Sequence, residues 1–299
     1  MDGSATIPAL RMAARDQAAG AIVNAMTVDV EDYYQVHAFA GQVRRQDWEK
    51  FESRVERNTD AVLALFGDAG VRATFFTLGW VAERHPALIR RIVQAGHELA
   101  SHGYAHVRAD SQDSNAFRED VRRTKGILED AGGQPVIGYR AASFSISRRN
   151  FWAFDVLAEE GYRYSSSVYP VVHDHYGMPD APRFAFHPID GSPFVEAPMT
   201  TNRMGGWNLP CSGGGYFRML PYWLSAWQLR RVNRRDRQAG IFYFHPWEID
   251  PAQPRMTGIS AKARFRHYLN LGAMQQRLAR LSREFQWNRL DRVLGVGPR

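Results

Sequence analysis

A single cysteine, Cys211, stands in 299 residues. One thiol forms no intrachain disulfide, so stability must come from a buried core rather than from covalent staples. No stretch approaches the ~20 apolar residues of a membrane span. The N-terminal segment mixes Asp2, Arg11, Arg15 and Asp16 with small residues and has no apolar stretch of secretory-signal type, so a cytoplasmic location is expected. Internal repeats, low-complexity tracts, zinc-finger spacing and recognition-helix patterns are all missing. Solenoid architecture and a nucleic-acid partner are therefore not expected.

What is present suits a globular α/β chain: 44% hydrophobic and 23% charged residues, with a formal charge of +7. Basic residues gather late, at Arg230, Arg231, Arg234, Arg235 and Arg237, and more loosely at Arg264, Arg266, Arg277, Arg280 and Arg283. Such clusters suit an anionic polymer or a solvated helix face.

Residues 1–24 read as a loose leader. Short apolar or β-branched runs at 25–30, 73–77, 97–101, 136–140, 166–169, 194–196 and 241–244 read as strands. Between them lie helical patterns. One carries Val55, Val62, Leu63 and Phe66, another opens at Pro86 and closes at Gly96, and others cover about 114–131 and 151–160. Alternation of this kind implies parallel βαβ crossovers and a closed or nearly closed barrel over 25–250, with sites at the C-terminal ends of the strands. Residues 170–220, rich in Gly, Pro and aromatics, read as an insertion over the barrel mouth. Residues 251–299 read as a basic helical extension packed on the barrel.

Four motifs follow strand ends. In Ser101-His-Gly-Tyr-Ala-His106, the four-residue spacing puts His102 and His106 on the same side of one helical turn, so both imidazoles can reach one ion. In Asp29-Val-Glu-Asp32, crowded carboxylates favour a cation or a proton. Two histidines and one carboxylate make a metal site with open positions, and a spare carboxylate can act as a base. The third ligand is Glu31 or Asp32. Glu31 shares a strand face with Asp29, whereas Asp32 requires a turned chain, and Asp32 is preferred because the acidic run resembles the start of a loop. His245, fixed ahead of Pro246, can donate a proton to a leaving amine. Arg140 can hold the spare carboxylate in its charged form. Tyr104, Phe144 and Trp247 are candidate sugar-stacking rings, although each could equally be packing.

The order of these motifs resembles the polysaccharide deacetylase family of NodB-homology, carbohydrate esterase 4-like fold. Tyr-Arg-Ala-Ala-Ser-Phe-Ser-Ile, Gly-Gly-Gly-Tyr-Phe-Arg-Met-Leu-Pro-Tyr and Phe-His-Pro-Trp-Glu-Ile-Asp resemble a bacterial subfamily encoded with exopolysaccharide loci. The resemblance implies a deformed (β/α) barrel of about seven parallel strands and a divalent metal, zinc first, with cobalt, nickel or manganese as alternatives. It implies an N-acetylated oligo- or polysaccharide substrate, with Asp29 as base, His102 and His106 as ligands, Arg140 orienting the base and His245 as acid. Backbone after Arg140 would help hold the oxyanion. Ala142 stands where a proline is common, and Ser165 where the subfamily tends to carry an acid. Competing readings are a same-fold hydrolase of a cyclic amide or imide, a non-catalytic glycan-binding module, and a structural role for the basic tail.

Overall fold

The computed structural model describes residues 11–12, 21–173 and 176–297. Most of the expected leader lies outside them. Within it, β1 (Arg11–Met12) pairs antiparallel with residues 186–187. The central strand β2 (Val23–Val30) sets the logic of the fold. Ala25 belongs to an interior cluster with Phe76, Ala100 and Tyr243, while Met26, Val28 and Val30 belong to a larger outer one. Side chains alternate along a strand, so Thr27 and Asp29 share the interior face with Ala25. Both faces are covered, which is why β2 reads as one apolar run.

From β2 the chain winds through α1 (Val55–Ala69), β3 (Thr74–Thr77), α2 (Gly79–Arg84), α3 (Pro86–Gln94) and β4 (Glu98–Ser101). It continues through α4 (Ser114–Gly132), β5 (Gly138–Tyr139), α5 (Trp152–Glu159) and β6 (Tyr164–Ser165). The helix signals operate as expected. Pro86 lies in the first turn of α3, and the Asp113 carboxylate accepts from the Ala116 N–H at 2.9 Å to open α4. Gly70 and Gly133, at φ 64° and 66°, end α1 and α4 in the left-handed region.

The second half adds β7 (Phe186–His187), β8 (Val195–Glu196), the hairpin β9 (Thr201–Met204) and β10 (Trp207–Pro210), then α6 (Gly214–Met219) and α7 (Tyr222–Arg231). It ends with β11 (Ile241–Phe244), α8 (Ala261–Tyr268), α9 (Leu271–Glu284), β12 (Gln286–Asn288) and α10 (Leu290–Leu294). The sheet order is β1-β7-β8-β6-β5-β4-β3-β2-β11, with β12 also on β2. Strands β2 to β6, β8, β11 and β12 run parallel. The sheet curls into a deformed barrel of NodB type whose ladder stays open on the far side of β11. There the Ile241 N–H donates instead to Thr200 Oγ1 at 2.6 Å.

Three boundaries differ from expectation. The strand placed at 166–169 is Tyr164–Ser165, because the Ser166 and Ser167 hydroxyls instead accept from Arg140 Nη2 and the Ala141 N–H just after β5. The segment at 170–220 is more than an insertion, since β7 and β8 are members of the main sheet. The tail is more than a packed extension: β12 pairs with β2, and Leu290 and Val293 of α10 enter the interior cluster at the strand N-terminal ends. Its arginines tie elements together. Arg277 Nη1 donates to the carbonyls of Phe217, Arg218 and Leu220.

Candidate functional site

Above the C-terminal ends of the strands, Glu31, His102 and His106 place one ligand atom each within 4.8 Å of the others. All three side chains are buried. His102 directly follows β4, where its N–H donates to the Thr77 carbonyl at 3.0 Å. Its Nδ1 lies 2.8 Å from the Arg140 carbonyl. That acceptor requires a proton on Nδ1 and leaves the Nε2 lone pair for an ion.

The two histidines do not sit on a helical turn. The segment is a loop, bent at Gly103 (φ 73°) and at His106 (φ 52°), and the rings meet edge-on with centroids 5.3 Å apart. A Cβ at position 103 would fall 2.9 Å from Asp120 Oδ2. The glycine lets the loop pass beside that carboxylate, whose Oδ1 accepts from the Tyr104 N–H at 3.0 Å. Arg45 holds the other side, donating from Nε to the Ala105 carbonyl and from Nη2 to that of His106.

Glu31 Oε2 lies 3.1 Å from His106 Nε2 yet has no hydrogen-bond partner. Burial pushes the Glu31 carboxyl up to about 7, against the pull of His245. A buried, unpartnered carboxylate oxygen facing two imidazoles fits a cation. The donor set of two nitrogens and one oxygen suits zinc or a similar first-row ion. Burial holds the His102 and His106 imidazoles below their ordinary range, and therefore neutral as ligands must be.

Asp32, the ligand preferred from sequence, is elsewhere. Its Oδ2 accepts from the N–H groups of Arg54 and Val55, at 2.7 and 3.1 Å, and from the Ser53 hydroxyl at 3.0 Å. The chain does turn after Glu31, but the turn aims Asp32 at the start of α1, where it satisfies exposed backbone donors.

Asp29 lies beside the cluster. Arg140 Nη1 donates to Asp29 Oδ1 at 2.6 Å and to Thr27 Oγ1 at 2.9 Å. Arg140 is fully buried, rests on the Phe76 ring with its guanidinium carbon 4.1 Å from the centroid, and donates further to Ser166. The Ala141 N–H donates to Ser167 Oγ at 2.9 Å, so that backbone group is committed and unavailable to an oxyanion. The turn that follows carries Ser143 and Phe144 at φ 54° and 49°, a strained pair.

His245 faces the cluster from β11, with Nε2 3.4 Å from Glu31 Oε1. Its Nδ1 lies 2.9 Å from Glu248 Oε1, and Arg218 Nε donates to Glu248 Oε2 at 2.7 Å. Burial alone would lower the imidazole, but Glu31 and the Glu248 hydrogen bond outweigh it and raise His245 to about 9. Glu248 and Arg218 received no role from the sequence. The signal was a His-x-x-Glu spacing, one turn apart, and the glycine run before Arg218. A Cβ on Gly214 would collide with the Glu248 carboxylate.

The aromatic candidates divide. The Tyr104 hydroxyl donates to Glu83 at 2.6 Å and its ring carries Arg123, so it braces α2 and α4 instead of facing the site. Phe144 is buried against Tyr243 at 4.9 Å. Trp247 lies buried between His245 and His267, at ring separations of 5.2 and 4.1 Å, and supports the imidazole. Ser165, which lacks the acid of the subfamily pattern, pairs in register with Glu196. That carboxylate accepts from the N–H groups of Ser167 and Val168.

The chain is similar to known proteins over both of its halves. Residues 48–165 match the polysaccharide deacetylase family, and residues 166–295 match a domain of unknown function, DUF3473. A chitooligosaccharide deacetylase of Rhizobium leguminosarum bv. trifolii is 31% identical over 100 residues, 33% of this chain and 44% of that protein. A peptidoglycan-N-acetylglucosamine deacetylase of Bacillus cereus is 32% identical over 75 residues, 25% of this chain and 27% of that protein. The matches thus span less than half of these relatives. A structure from Mycobacterium smegmatis assigned by name to the polysaccharide deacetylases superposes with TM-score 0.62 at 20% identity, covering 96% of this chain and 94% of that one. Puue allantoinase does so at 0.57 and 18%, covering 91% and 89%. These two likenesses concern the fold. The segment matching DUF3473 is no appendage, because it supplies β8, β11 and β12 of the sheet and His245, Glu248 and Arg218 of the site. Residues 48–165 thus carry a polysaccharide deacetylase domain, and the DUF3473 segment that follows completes the barrel.

Proposed function

We propose that the chain is a metal-dependent N-deacetylase of an amino-sugar oligo- or polysaccharide, or of its precursor, in bacterial exopolysaccharide assembly. The carrying observation is the convergence of Glu31, His102 and His106 with an Arg140-held Asp29 on one side and a Glu248-held His245 on the other. Glu31, His102 and His106 would hold the ion, which when bound supplies Lewis acidity to the amide carbonyl and acidity to water.

The protein's own groups supply the proton chemistry. Asp29, aimed by Arg140, takes a proton from water as the water oxygen bonds to the acyl carbon. His245, held protonated by Glu248 and Glu31, gives its proton to the sugar nitrogen as the C–N bond breaks. Acetate and a free amine leave. The Arg218–Glu248–His245 relay fixes the imidazole so that Nε2 carries the transferable proton. No helix of the described residues is long and apolar enough to cross a membrane. The single, buried Cys211 is compatible with the cytoplasmic setting this reading includes.

Elemental analysis and acetate release from N-acetylglucosamine oligomers test the reading together. About one divalent ion per chain and free acetate are expected. A metal-bearing chain that opens a cyclic amide and frees no acetate would shift the assignment to that chemistry.

A further inference from the structure

A cleft of about 290 Å³ opens beside His106, and Gln35, His37, Arg44, Arg45 and Gln46 line it. It is built by the loop between β2 and α1, most of which precedes the part of the chain matching the polysaccharide deacetylase family. Its lining carries two guanidinium groups and no carboxylate. The charges around it are accountable. Asp47 bonds Arg44 Nε at 2.9 Å and Lys50 Nζ at 2.7 Å, which leaves that trio with one net positive charge. Glu31 lies behind His106, within the metal cluster. Arg45 is held in place by its bonds to the Ala105 and His106 carbonyls, which use two of its five N–H groups.

Gln35 supplies an independent sign of a ligand. It is 3% exposed, and its Oε1 accepts from the Asp32 N–H at 2.7 Å, which fixes the amide orientation. Its Nε2 is buried with no partner. Buried donors are satisfied in folded proteins, and an exception at the wall of a cleft marks a place where something else accepts. The loop therefore sets two cations and an oriented, buried amide donor without a partner next to His106.

We propose that this cleft is a subsite for a carboxylate-bearing sugar unit linked next to the N-acetylated one. The preferred substrate is then an acidic heteropolymer, not a neutral homopolymer. The Gln35 amide and the Arg44 and Arg45 guanidiniums receive the carboxylate, and the net charge of +7 favours approach of a polyanion. This assignment rests on the deacetylase reading for the identity of the neighbouring unit.

The test compares two tetrasaccharides, an alternating N-acetylglucosamine–glucuronic acid oligomer and a neutral N-acetylglucosamine oligomer. Affinity is measured by calorimetry at low and high salt on the Asp29→Asn chain, where turnover does not intrude. Acetate release is measured on the otherwise native chain. The acidic oligomer should bind about tenfold more tightly, as one charge-assisted contact allows, and salt should erode the difference. Arg44→Ala removes an exposed side chain, and Gln35→Glu keeps the acceptor for the Asp32 N–H while replacing the unpartnered donor by an acceptor. Each should collapse the preference and leave the neutral oligomer bound as before. Equal affinities, no binding of either oligomer, or a preference that survives both substitutions overturns the subsite. Acidic preference without acetate from either oligomer would instead sink the deacetylase reading while leaving the subsite standing.

Discussion

Glu31 and Asp32 are adjacent in the chain but their carboxylates serve different structures: Glu31 meets His106 Nε2 at 3.1 Å, and Asp32 accepts three hydrogen bonds at the start of α1. Conservative amides therefore separate them. Glu31→Gln should lower the bound metal severalfold at unchanged thermal midpoint of the metal-free chain, because a neutral oxygen is a poorer ligand. Asp32→Asn should keep the metal and lower stability by ~1–2 kcal/mol, the usual scale for a weakened helix cap. Metal content and denaturant melts read both, and metal loss in Asp32→Asn alone would reverse the assignment.

His245 is positioned by Glu248, itself held by Arg218. His245→Ala should slow amide cleavage by ~10²–10⁴-fold and spare hydrolysis of a phenyl acetate, since a phenolate needs no proton to leave. Equal losses on the two substrates would make the imidazole structural.

At the opposite end of the barrel, Glu98 is buried beside Asp291, with Tyr164 donating to its Oε1 at 2.9 Å and the Asp291 N–H to its Oε2 at 3.2 Å. Burial, then Asp291, pushes its carboxyl from 4.5 up to about 8. The unfolded chain releases this proton near 4.5 while the native one keeps it. In that window the native state binds more protons, so the contribution to stability falls as pH rises from about 4.5 to 8 and is flat beyond. Glu98→Gln should flatten that slope. Melts at pH 5 and pH 8 that show the same slope in both proteins would refute it.

Much of the fold was legible because its signals are local. The apolar run of β2, Pro86 in the first turn of α3 and Gly133 after α4 all act through neighbouring residues. The missed strand β12 is three residues long, and only Trp287 among them is buried. Its pairing with β2 is a contact across most of the chain, and nothing nearby announces it. The site was legible in residue type but not in wiring. Asp29, His102, His106, Arg140 and His245 do converge. The choice between Glu31 and Asp32 depended on where α1 begins in space, and the function of Glu248 on a partner thirty residues earlier, Arg218. Tyr104 lies between the two histidines in sequence, yet the left-handed bends at Gly103 and His106 turn it outward toward Glu83.

The sharpest test concerns Asp29. Its Oδ1 receives Arg140 Nη1 at 2.6 Å, a charge-assisted bond that fixes the carboxylate and points the other oxygen elsewhere. Asp29→Asn keeps the shape and one acceptor for Arg140, so the fold should hold. The amide cannot take a proton, and activity should drop by ~10²–10⁴-fold. Because Glu31, His102 and His106 make up the close cluster among the described residues, the metal should stay. Arg140→Met should show a different signature. It removes a fully buried cation, abandons Thr27 and Ser166 as well as Asp29, and should cost stability along with rate. Paired measurements of metal content, melting and acetate release distinguish these outcomes. If Asp29→Asn strips the metal while Glu31→Gln retains it, Asp29 is the ligand and Glu31 the base.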